Sequence, residues 1–201
     1  MRQRLFLTSA LFCLFILALP AISKEKRYIY TFVPENSPHT FVLGNRVILS
    51  SKGLTISLEQ LDALPFEDRF PVFQTRPNIH FIYFRITFRN RTGAPVEVNP
   101  IFFYALNDRK EFRKPLNYDE IHRLLSKMHK PEEFRDLFQS CLVDFFSPIP
   151  NGEEREGYLI FQNFREKAKT GIIKLENMSV GPEPVSFSVA YTLNREVITI
   201  E

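Results

Sequence analysis

Two stretches of this chain alternate strictly between apolar and polar residues, and they constrain its fold more than anything else in it. In the first, Ile82, Phe84, Ile86 and Phe88 are interleaved with Tyr83, Arg85, Thr87 and Arg89. In the second, Val185, Phe187, Val189, Tyr191 and Leu193 are interleaved with Ser186, Ser188, Ala190 and Thr192. Successive strand residues point to opposite faces, so each stretch reads as a strand with one face on a core and the other in water. A shorter alternation, Leu54-Thr55-Ile56-Ser57-Leu58-Glu59, opens after Gly53.

Weaker strand candidates surround these. Lys24 to Asn36 reads as a leader that pairs late as a strand, and Phe41 to Leu49 as the first strand proper. Val96, Val98, Phe102, Tyr104 and Leu106 continue the alternation on one face, with Pro100 marking an edge or a bulge. Leu142 to Ser147, Gly157 to Phe164, Ile172 to Glu176 and Val197 to Ile200 complete the set, with Asn194-Arg195 as a turn into the last strand. Asp62 to Pro77 carries Pro65, Pro71 and Pro77 and reads as an ordered loop lying against the sheets. Short alternating strands separated by turns, and not by helices, predict an all-β antiparallel sandwich.

One segment departs from this period. Asn117 followed by Glu120 reads as a capping box, and Ile121, Leu124, Leu125 and Met128 form a helical stripe. Pro131, Glu132 and Glu133 start a second helix with the stripe Phe134, Leu137, Phe138 and Cys141. Residues 117–141 thus read as a two-helix insertion in the β domain, with apolar faces that need a surface to pack on.

Residues 1–23 read as a secretory signal. Arg2 and Arg4 precede the uncharged run Leu5 to Leu19, and Ala21-Ile22-Ser23 places cleavage before Lys24. The run reaches about 22 Å as a helix, short of the roughly 30 Å a membrane span needs. Cleavage removes two of the 26 basic residues and none of the 23 acidic ones, which leaves 24 against 23. That balance gives no case for nucleic acid. Cys13 leaves with the signal, so Cys141 stands alone, as a buried thiol or one that pairs with a partner. The domain, residues 24–201, is expected to be periplasmic or secreted, with no membrane span after cleavage. It must be stabilised by its core and not by disulfides.

Tyr83 to Asn90 followed by Val96 to Asp108, then Pro150-Asn151-Gly152-Glu153 and Gly157-Tyr158-Leu159-Ile160-Phe161, then Val185 to Leu193, stand in a familiar order. The pattern, over Leu54 to Leu193, resembles bacterial secreted immunoglobulin-like domains of unknown function. The resemblance implies an immunoglobulin-like sandwich outside the cytoplasm and no activity. The chain departs from that pattern in lacking a lipidated cysteine and in the length of its helical insertion.

Motifs for chemistry are missing from the sequence. It has no G-x-S-x-G elbow, C-x-x-C, H-E-x-x-H or glycine-rich phosphate loop. Cys141 and His129 share the insertion, but the cysteine also fills its helix's apolar stripe. His122 and His129 lie two helical turns apart, too far for one ion without rearrangement. Asp119-Glu120 and Glu132-Glu133 fall in first helical turns, where the helix dipole accounts for acids. The expectation is therefore a non-enzymatic module, without cofactor or metal, that contacts an envelope or secreted protein. The alternative is a carrier of a small apolar ligand or a metal in a pocket between the sheet and the insertion. The residues placed at the partner surface are Lys110, Arg113, Lys114, His122 and His129, on the insertion and its approach. A bare edge strand that adds a partner's strand is a second route to contact.

Overall fold

A computed structural model of the chain describes residues 25–36, 40–64, 81–125 and 147–200. The chain divides into a small unit, residues 1–27 with 198–201, and a body, Tyr28–Val197, which is the subject below. The strands are β1 (Glu25–Pro34), β2 (Thr40–Leu43), β3 (Arg46–Ser51), β4 (Leu54–Leu61), β5 (Phe81–Asn90) and β6 (Val96–Glu97). They continue with β7 (Phe103–Asn107), β8 (Phe112–Arg113), β9 (Glu154–Gln162), β10 (Thr170–Val180) and β11 (Glu183–Ile200). One helix, α1 (Tyr118–Leu125), follows β8.

The strands form two antiparallel sheets. One runs β2-β3-β4-β5-β9; the other runs β1-β11-β10-β7-β8, with β6 also paired to β10. The inward residues of the strong alternations meet between them: Leu54, Ile56, Leu58, Ile82, Phe84, Ile86 and Phe88 from the first sheet, Val189, Tyr191 and Leu193 from the second. Aromatic rings bridge the layers. Phe32 of β1 stands edge-on to Phe84 of β5 at 5.4 Å and to Tyr191 of β11 at 5.3 Å. Such edge-to-face pairs add to the burial that holds the sheets together. The result is a β-sandwich, as the alternation predicts.

Four expectations are corrected. Phe41 to Leu49 is not one strand: Gly44, at φ +62°, turns the chain between β2 and β3. No turn interrupts β11 at Asn194-Arg195; the strand is continuous from Glu183 to Ile200. Tyr83 was placed on a solvated face, yet it is buried, as is its register partner Ile160. Leu116 donates its backbone N–H to the Ile160 carbonyl (2.7 Å), so the approach to α1 runs beside β9.

The fourth correction is a shift of phase. Val96 and Val98 are buried, but beyond Pro100 the buried residues are Phe103, Ala105 and Asn107, while Phe102 is exposed. Pro100–Phe102 forms a turn of 3-10 helix, capped by the Asn99 side chain on the Ile101 N–H (3.2 Å). That turn advances the chain by one residue relative to the strand period. Its neighbour β10 shifts at the same level, through a bulge between Leu175 and Met178 with Asn177 at φ +56°. The two irregularities face each other because β6 and β7 both pair with β10, one on each side of the bulge.

The capping box stands as read: Asn117 Oδ1 accepts the Glu120 N–H, and Glu120 Oε2 accepts the Asn117 N–H, both at 2.9 Å. In place of a two-helix insertion, the described residues show the single short helix α1. The expected second helix, residues 65–77 of the expected Asp62–Pro77 loop and the expected strand at Leu142 to Ser147 lie outside the described residues, apart from Ser147 itself.

A candidate contact surface at the basic end

One end of the sandwich is built by two connections that lie side by side, residues 108–111 between β7 and β8 and residues 163–169 between β9 and β10. They are bound together by carboxylates. The Glu111 side chain accepts the backbone N–H groups of Arg165 (3.0 Å) and Glu166 (2.9 Å), the Asn107 amide (3.0 Å) and the Arg113 guanidinium (2.8 Å). Asp108 accepts the Lys169 N–H (3.2 Å), and Arg109 Nε donates to the Lys167 carbonyl (3.1 Å).

Within the first loop, Asn107 Oδ1 accepts the N–H groups of both Arg109 (3.0 Å) and Glu111 (2.9 Å). This holds a tight turn with Lys110 at its tip, at φ +62°. That conformation suits glycine or asparagine and costs a lysine about 1 kcal/mol. On the second loop the buried Tyr30 hydroxyl donates to the Glu166 carbonyl and accepts the Ala168 N–H (2.9 Å). Both loops are therefore fixed from below by the body.

The charges at this end are mostly positive. Arg109, Lys110 and Lys114 are exposed on the first loop and its hairpin, and Arg165, Lys167 and Lys169 on the second. The acids among them are already engaged or fewer: Glu111 is neutralised by Arg113, Asp108 binds a backbone N–H, and Glu166 is exposed. Desolvation pushes the Glu111 carboxyl upward. The N–H groups of Glu166 and Arg165, the Asn107 amide and the Arg113 charge outweigh it and hold the pKa below the ordinary glutamate value.

An apolar row adjoins the basic loops on the outer face of the second sheet. Phe112 pairs with Leu106, Leu106 with Ile172, and Ile172 with Ala190. Phe112 is 47% exposed and Ile172 37%.

The five residues read from the sequence separate accordingly. Lys110 stands exposed at the tip of the basic end, and Lys114 is exposed just beyond β8. The Arg113 guanidinium donates to Glu111, to the Phe112 carbonyl (3.0 Å) and to the Asn163 carbonyl (3.4 Å). His122 is exposed on α1, its ring 6.2 Å from Tyr118. His129 lies outside the described residues, as does Cys141. Most of the insertion that would close a ligand pocket lies there too. Among the described residues no three histidine, cysteine, aspartate or glutamate side chains gather where they could hold a metal. Arg165, Lys167 and Lys169 were missed. The run Arg165-Glu166-Lys167-Ala168-Lys169 is visible in the sequence, but only the fold sets it beside Arg109 and Lys110.

The fold defines a β-sandwich protein of two antiparallel sheets. No protein-family model matches the chain, and neither a curated protein nor a solved structure matches it.

Proposed function

We propose that this chain is a non-enzymatic extracytoplasmic contact module with an immunoglobulin-like sandwich, acting on an envelope or secreted partner through its basic end. The observation that carries the reading is the pair of clamped loops. Five exposed basic side chains, Arg109, Lys110, Arg165, Lys167 and Lys169, are presented on a backbone held by Glu111, Asp108 and Tyr30, so binding costs little ordering entropy. Loops on a rigid scaffold are where sandwiches carry recognition. The described sheet architecture supports the sandwich, and the signal-like residues 1–23 support the compartment.

The test is retention of the full chain on an immobilised polyanion, eluted by salt. The chain carrying Lys110→Glu, Lys167→Glu and Lys169→Glu should elute at clearly lower salt with an unchanged circular dichroism spectrum. Equal elution of the two would remove the basic end as the contact surface.

A further inference from the structure

Resting on that contact reading, we infer that the partner of the basic end is the headgroup surface of an anionic lipid bilayer. Two observations converge on it. The first is charge: the exposed basic residues of both loops face outward at one end, and their carboxylate neighbours are largely used internally. An anionic bilayer complements such a cluster, with each lysine or arginine near the surface worth roughly fivefold in partitioning.

The second is the kind of apolar surface beside the charges. Phe112 lies next to Arg113 and Lys114 in the chain, and Leu106 and Ile172 continue from it across the sheet. An exposed aromatic ring, here 4.9 Å from the Tyr104 ring and two residues from both Lys110 and Lys114, suits the bilayer interface, where aromatic edges enter the acyl boundary and ammonium groups stay among phosphates. A polyanion in water would use the charges and leave the ring unpaid for.

The experiment is co-sedimentation of the full chain with vesicles of phosphatidylcholine alone and of phosphatidylcholine mixed with phosphatidylglycerol, at low and high salt. Binding through residues 1–23, with Arg2 and Arg4, is common to the unmodified and the charge-reversed chains, so the readout is the part of the anionic-lipid increment lost on charge reversal. That increment should be large, should vanish at high salt, and should fall at least about tenfold in the Lys114→Glu, Lys167→Glu, Lys169→Glu chain. Phe112→Ser should reduce it severalfold while leaving elution from the polyanion resin unchanged. If the charge-reversed chain is misfolded, the charge-neutral chain carrying Lys110→Asn, Lys167→Gln and Lys169→Gln replaces it as the comparison. Retention on the resin without an anionic-lipid increment overturns the bilayer inference and leaves the contact reading standing. Absence of both overturns the two together.

Discussion

The Glu111 carboxylate accepts the backbone N–H of Glu166 at 2.9 Å across 55 residues of sequence. This bond and its companion from Arg165 join the β7–β8 hairpin turn and the β9–β10 crossover between the two sheets into one surface. Replacing Glu111 by alanine should cost about 2 kcal/mol in urea unfolding, since charge-assisted bonds to a half-buried carboxylate are lost together. Hydrogen exchange should quicken at Arg165 and Glu166 before it does in the strands.

The same carboxylate makes the clamp sensitive to acid. Its pKa is depressed in the folded chain, so the native state binds fewer protons than the unfolded one near the glutamate range. The stabilisation is fully present above the ordinary glutamate value and drains away as pH falls through the lowered one. Glu59 acts in the same sense. Desolvation raises its pKa, but Arg85 (2.5 Å) and Arg46 (2.7 Å) overcome this and hold it low. Stability measured by denaturant should therefore drop on acidification below the glutamate range, and by less in Glu111→Gln.

Two tyrosines in the core predict opposite outcomes for one substitution. Among the described residues the Tyr191 hydroxyl is buried without a hydrogen-bond partner, and burial alone drives its pKa far up. Tyr191→Phe should leave stability unchanged or raise it by about 1 kcal/mol. Tyr30→Phe removes the bonds to Glu166 and Ala168 and should lower it by about 1 to 2 kcal/mol. Thermal unfolding of the pair reads both signs.

Lys110 offers a trade between stability and binding. Lys110→Asn relieves a left-handed backbone and should gain about 0.5 to 1 kcal/mol. It should also weaken retention on a polyanion. A gain in both would show that the lysine is not placed there for contact.

At the far end of the sandwich, Asn90 is wholly buried. Its amide donates to the Ala94 (2.7 Å) and Ile149 (2.8 Å) carbonyls, and its Oδ1 accepts the Thr92 N–H (3.0 Å). It staples the 90–95 turn to the 149–153 turn. Asn90→Ala leaves several buried groups unpaired and should cost about 2 to 4 kcal/mol, read as a lowered denaturation midpoint.

Much of this architecture was legible in the residues, for a definable reason. Ile82 to Phe88 and Val185 to Leu193 each bury one face, and a one-residue slip would expose it, so their pattern and their fold agree. The Asn117–Glu120 cap was readable because it is local. The burial of Tyr83 is not legible locally, because Arg85, Thr87 and Arg89 on the same face are polar while its register partner Ile160, 77 residues on, is buried with it. Arg165, Lys167 and Lys169 were invisible as a site because nothing in sequence joins them to Arg109. The clamp that does so runs through Glu111, which looks like any surface acid.

The 3-10 turn at Pro100 has an effect well away from itself. Without its one-residue advance, the period begun by Val96 and Val98 would carry Leu106 inward and Phe103 outward. The greasy strip beside the cationic loops exists because the backbone slips a gear six residues earlier. Deleting a single residue from that turn would swap the strand's wet and dry sides, and so erase Leu106 from the exterior without touching any residue that shows there.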